Sequence, residues 1–121
     1  MKQNALVVLS KEFAVQTINL CEKLKENGRA NVLISQLLRS ATSIGANIHE
    51  ANYAASKADF INKLQIALKE CYETDYWLDV FKSASVITEH EYQDSFSKCS
   101  KLRRPLISSI NTAKSQENTF L

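Results

Sequence analysis

Only two glycines and one proline punctuate the 121 residues of this chain. A sheet protein of this length reverses direction about every ten residues and needs far more of both to do so, which excludes an all-β fold. Long helices remain. Hydrophobic residues at 45% and charged residues at 23% supply one ordinary core and no second one, so a single soluble domain is expected. The net charge of +2 is too small to argue a nucleic-acid partner by itself. The longest apolar run near the N-terminus, Ala5 to Leu9, is too short for a secretory or membrane-spanning segment. Cys21, Cys71 and Cys99 lie far apart and read as small buried thiols, not as a disulfide framework or a zinc site. A cytoplasmic protein follows by elimination.

Apolar residues recur at three- and four-residue spacing through four segments. The first runs from Ala5 to Asn27, with Leu6, Leu9, Phe13, Leu20 and Leu24 on one stripe, widened by Val7, Ala14, Ile18 and Cys21. Gly28 ends it, because a residue without Cβ enters the left-handed conformation cheaply. The second runs from Val32 to Ala55 along Ile34, Leu37, Leu38, Ala41, Ile44, Gly45, Ile48 and Ala55. Ser56 and Asp59 form a capping box that opens the third, whose stripe is Phe60, Leu64, Ala67, Leu68, Cys71 and Leu78, fading near Lys82. Thr88 and Glu91 repeat that spacing and open the fourth, along Tyr92, Phe96, Cys99, Leu102, Leu106, Ile110 and Ala113. Short connections suit antiparallel neighbours. The expected fold is an all-α, up-down-up-down four-helix bundle over residues 1–114, with a flexible polar tail over 115–121. Pro105 must either bend the fourth helix or stop and restart it, and the unbroken apolar period favours a bend.

Two helix faces are poorer in solvent-seeking residues than a surface requires. Opposite the main stripe of the second segment stand Gln36, Arg39, Ser43, Ala46, Asn47 and Glu50, small or hydrogen-bonding residues with few charges. Beside the core stripe of the third stand Asp59, Lys63, Ile66, Glu70, Glu73, Trp77 and Val80, where costly apolar groups alternate with charges. A second copy of the chain is the simplest cover for both faces. Arg39, Ser43, Asn47, Glu50, Asp59, Lys63, Ile66, Glu70, Glu73 and Trp77 are thus the candidate oligomer interface. In the alternative, the two faces meet inside one bundle and Arg39 pairs with Glu70 or Glu73.

Catalytic chemistry finds little footing. Glu70 and Glu73, three residues apart on a bundle helix, could contribute to a carboxylate metal site. Neither His49 nor His90 completes the Glu-x-x-His pattern of such bundles. No glycine-rich loop can form, and no Ser-His-Asp set can be argued. No enzyme activity, cofactor, metal or small-molecule substrate is therefore expected. The fourth segment is locally basic: Lys98, Lys101, Arg103 and Arg104 follow its acids, and no acid lies between Lys98 and Lys114. This placement suits a helix end, with bases near the negative pole. It also suits phosphate contact, and these four residues are the candidate nucleic-acid site.

Two strings carry a family resemblance. Gln36 to Ala51 reads QLLRSATSIGANIHEA, and Ser56 to Leu78 reads SKADFINKLQIALKECYETDYWL. Together they resemble the bacterial four-helix-bundle proteins first noted as reading frames in 23S rRNA intervening sequences, a family also labelled ribosomal protein. The resemblance implies an antiparallel bundle assembled as a homo-oligomer, typically a pentameric ring, without known enzymatic activity. A related member, the accessory variability determinant of diversity-generating retroelements, binds a reverse transcriptase and nucleic acid through a basic surface. The family-like polar and aromatic positions are Arg39, Ser43, Asn47, Glu50, Asp59, Lys63, Glu70 and Trp77. The expected function is a non-catalytic scaffold associated with RNA or the ribosome, or an accessory factor for a nucleic-acid enzyme. A protein-protein adaptor without nucleic-acid contact is the alternative, and a carboxylate metal-binding bundle is a further one. No membrane partner is expected.

Overall fold

The computed structural model describes residues 2–29 and 31–119, and the side chains of 5–29 and 32–116. It contains α1 (Lys2–Glu26), α2 (Asn31–Ala51), α3 (Lys57–Ser83) and α4 (Glu89–Thr119), with no strand among the described residues. Each helix packs on the helix before and after it, and α4 closes the ring on α1, while the diagonal pairs stay apart. Cross-helix partners run in opposite directions along every seam. Ser40 meets Thr74 and Glu50 meets Lys63 between α2 and α3, and Gln16 meets Asp94 and Lys23 meets Glu91 between α1 and α4. The fold is the antiparallel up-down-up-down bundle that the periodicity predicts.

The helix ends are set by local chemistry. Gly28 takes φ +77°, and the Arg29 N–H returns to the Leu24 carbonyl at 3.1 Å to close α1. α2 stops at Ala51, four residues short of the expected end, as its last amides tighten into three-residue turns. Ala55 is exposed, and its N–H is drawn to Asp59, which caps α3 together with Ser56. Ser85 closes α3 at φ +59°, a left-handed position held by a residue with a Cβ. Thr88 and Glu91 form the second capping box: the Thr88 N–H donates to Glu91 at 2.8 Å, and the Glu91 N–H donates to the Thr88 hydroxyl at 3.0 Å. α4 passes through Pro105 without a restart. Leu102, Leu106, Ile110 and Ala113 stay buried on both sides of the proline and hold the helix to the core. The helix also continues past Lys114, where the apolar period ends, to Thr119; residues 120 and 121 lie outside the described residues.

The core has two parts. One, from the middle of the bundle toward the α2–α3 turn, joins Leu6, Phe13, Ile44, Ile48, Leu64, Leu102 and Leu106. The other, toward the α3–α4 turn, joins Cys21, Leu24, Ile34, Leu37, Leu78, Phe81 and Ile87, with Trp77 packed on its edge. The buried hydroxyls of Thr17 and Ser40 return to carbonyls of their own helices, which removes the cost of leaving them unpaired. A Cβ at Gly45 would stand 3.3 Å from the Ser10 hydroxyl, so the missing side chain lets α1 and α2 close on each other. All three cysteines are buried free thiols, and burial pushes Cys21 up to about 11. Leu9 and Ile18, expected in the core, are 37% and 38% exposed because they lie on the two outer edges of the α1 stripe.

Two measurements check these ends. Ser85→Gly should raise stability in denaturant unfolding by about 0.5 kcal/mol, since relief of the left-handed strain exceeds the added freedom of the unfolded chain. Lys23, and then the Thr88 N–H, hold the Glu91 carboxyl below the usual range. The stability this confers is therefore present above the unfolded value of ~4.3 and lost as pH falls through the folded value. Glu91→Gln keeps the cap geometry without the charge. It should be less stable than the parent at neutral pH, and the gap should close in acid.

Candidate functional site

The α2–α3 seam collects most of the candidate interface residues. Arg39, one turn into the small-residue face of α2, reaches across to Glu70 at 3.2 Å and also pairs with Glu73. The Trp77 indole N–H donates to Glu73 at 3.3 Å, and Lys63 pairs with Glu50 at 2.9 Å further along the seam. Burial pushes the Glu73 carboxyl up, but Arg39 and the indole outweigh it and hold the group below the usual carboxylate range. The same two carboxylates, Glu73 first, raise the Arg39 guanidinium. Ser43, Asn47 and Ile66 are half-buried along this line, and the Asn47 amide donates to the Ser43 carbonyl of its own helix. Asp59 is engaged in the α3 cap. These pairs are all made inside one chain, the arrangement the sequence left open as its alternative. Both carboxylates of the suggested metal pair are turned to a guanidinium. Ala46 and Glu50 remain exposed on the outer side of α2.

The basic run of α4 divides by direction. Lys101 and Arg104 are exposed and make no ion pair among the described residues. Lys98 is exposed too, pairs with Asp94 at 3.4 Å, and with Lys101 lines a groove against Leu9, Glu12, Phe13 and Gln16 of α1. Arg103 differs. It pairs with Asp75 of α3, donates to the Ser100 hydroxyl at 2.6 Å, and lies between the Tyr72 and Phe96 rings. It is not available to an outside phosphate, because one residue after buried Leu102 the helix turns its side chain to α3. The placement along the helix also differs from expectation. α4 ends at Thr119, about four turns past Arg104, and its last turn holds no base, so these cations sit mid-helix and form no basic rim.

Asp75 was not legible as a partner for Arg103. One of its oxygens is enclosed without a hydrogen-bond partner, and burial pushes its carboxyl up against the opposing pull of Arg103. Only the Tyr72 and Phe96 rings near Arg103 mark the pair, and that needs α3 and α4 to be brought together. The Cys99 thiol beside it is pushed up by Cys71 and by burial, which leaves it an inert packing group.

Among the described residues no group of three or more His, Cys, Asp and Glu side chains is gathered as a metal site. A depression of about 680 Å³ by the α3–α4 turn is lined by Lys23, Arg29, Lys82, Glu89 and Glu91. Its charges answer one another, Lys23 to Glu91 at 2.7 Å and Lys82 to Glu89 at 4.0 Å. His49, near the end of α2, and His90, in the first turn of α4, lie at opposite ends of the bundle. No helix among the described residues is long and apolar enough to cross a membrane.

A family model described as 23S rRNA-intervening sequence protein matches residues 2–108. The chain belongs to that family. The match spans the α2–α3 seam and the basic run of α4. The chain is also similar to a crystal structure of a protein of unknown function from the S23 ribosomal protein family of Bacteroides thetaiotaomicron VPI-5482. The two are 46% identical with a TM-score of 0.89, over 92% of this chain and 99% of that one. No match was found among curated proteins.

Within this member of the 23S rRNA-intervening sequence family, the two arginines should behave differently. The Arg39 side chain is 47% exposed, so its pairs are screened, and Arg39→Ala should cost no more than about 1 kcal/mol. Arg103 and Asp75 are each 18% exposed, and Arg103→Ala strands a buried carboxylate; the expected cost is about 2–4 kcal/mol. Denaturant unfolding of the two variants side by side checks the order.

Proposed function

We propose that the protein is a non-catalytic helical scaffold of the cytoplasm that self-associates and contacts RNA. The observation that carries the RNA reading is the outward face of α4. From Ser97 to Gln116 it holds no acid, while Lys98, Lys101, Arg104 and Lys114 are exposed along it among hydroxyl and amide side chains. Asp94 beside Lys98 and Glu12 of α1 stand at one border of this face, and Arg104 and Lys114 lie beyond them. Exposed cations among hydroxyls suit the phosphate backbone and carry no base code. One copy offers few contacts. Repetition of the face in an assembly multiplies affinity, and the family resemblance makes five copies the expected number. Self-association is supported by the outer side of α2, where Ala46 and short polar side chains allow close approach of another helix, with Arg39 and Trp77 at the edge of the same face.

A second reading, a protein-protein adaptor without nucleic acid, is favoured by Tyr72 and Tyr76. They are 53% and 60% exposed on the outer side of α3, and Tyr76 meets Trp77 edge-on at 5.2 Å.

Fluorescence anisotropy of a labelled RNA oligonucleotide at rising salt separates the readings. The expected result is binding that weakens steeply with salt, and a slope reduced by about 2 per copy in Lys101→Glu/Arg104→Glu. Binding that ignores these substitutions, or no binding at low salt by the intact assembly, favours the adaptor. Sedimentation of the same samples tests the scaffold: a single-copy mass at working concentration rejects it, and Arg39→Ala should shift the assembly toward smaller species.

A further inference from the structure

Helix α1 carries an apolar stripe that the bundle leaves uncovered. Leu6, Phe13, Cys21 and Leu24 face the core, whereas Val8 is 54% exposed, Val15 49% and Ile18 38%. At 100° per residue Val8 and Val15 point directly away from the core stripe. Positions 8, 11, 15, 18, 22 and 25 follow the alternating three-four spacing of a heptad seam, and hold Val, Lys, Val, Ile, Glu and Lys. A shallow depression of about 390 Å³ lies beside Val15, between Lys11, Glu12, Gln16 and Asn19. Lys11 and Glu22 are exposed, and neither has an ion-pair partner among the described residues.

The charge order of this seam chooses its occupant. In two antiparallel helices related by a two-fold axis, each residue of one seam faces a fixed mirror position on the other. A register centred between Gln16 and Thr17 sets Val15 beside Ile18 and Lys11 beside Glu22, twice over, and lays the Lys25 stem along Val8. A parallel pairing would instead oppose Lys11 to Lys11 and Glu22 to Glu22. An RNA would meet Glu12, Glu22 and Glu26. The seam is complementary to itself in one direction only.

We propose that a second copy of this chain docks on α1 through its own α1, antiparallel, about a two-fold axis near Gln16 and Thr17. The contact uses neither the α2–α3 face nor the outer face of α4, and it stands independently of the scaffold reading. Where copies also associate through α2 and α3, the α1 contact joins separate assemblies and raises the mass further.

Sedimentation equilibrium of the full chain over a range of concentrations tests it, with circular dichroism as the check on folding. Lys11→Glu and Glu22→Lys are surface changes and should leave the helix content unaltered. Each should weaken α1-mediated association by about tenfold, because each opposes like charges at both ends of the seam. An equimolar mixture of the two variants should recover it, since each supplies the sign the other lacks, and so should the double variant Lys11→Glu/Glu22→Lys. Val15→Asp should abolish it without rescue. Wild-type association in both single variants overturns the proposal, as does a mixture that gains nothing over its components. An Arg39→Ala background separates the two contacts: loss of the larger assembly there, with the charge-swap pattern intact, removes the α2–α3 interface and retains this one.

Discussion

Each helix of this bundle can turn only about a third of its circumference to the core, and the rest of the structure follows from that limit. The core stripe is fixed by period, and the neighbouring helices take the two flanks. What stands on a flank is therefore neither solvent nor core. Arg39, Glu70, Glu73 and Trp77 occupy one such border between α2 and α3, and Arg103 and Asp75 occupy another between α3 and α4. Half-burial makes these charges useful in pairs and costly alone.

The degree of burial decides what each pair does. Arg39 keeps nearly half of its side chain in water and can be shared with a partner at little expense to the fold. Arg103 is enclosed between two rings and bound to a carboxylate that burial pushes up, so its charge is spent inside the protein. Two residues of the same type, each flanking an apolar stripe, thus have different prospects at an interface. The cations left facing outward on α4, chiefly Lys101 and Arg104, are exposed and make no ion pair among the described residues.

Much of the fold was legible because its signals are local. Gly28, Ser56 with Asp59 and Thr88 with Glu91 mark helix ends by satisfying amides within a few residues, and the structure places ends at each of them. The end of α2 was less legible, since Ala51 to Ala55 has good helical composition; the competing demand of the α3 cap on the Ala55 N–H stops it. The fate of Pro105 was settled by burial on both sides of it, a tertiary effect that outweighs one lost hydrogen bond.

Sequence by itself determined the number of helices, their order and the side each turns inward, because a 3.6-residue period and short connections admit few other arrangements. It also marked which residues stand on the borders of those stripes. Only the tertiary structure decided how the borders are shared. It turned Arg103 inward to Asp75, gathered Arg39 to two carboxylates of its own chain, and left Val8 and Val15 without cover. The physical reason is that a helical wheel gives the direction of a side chain but not its distance from the next helix, and pairing and burial both depend on that distance.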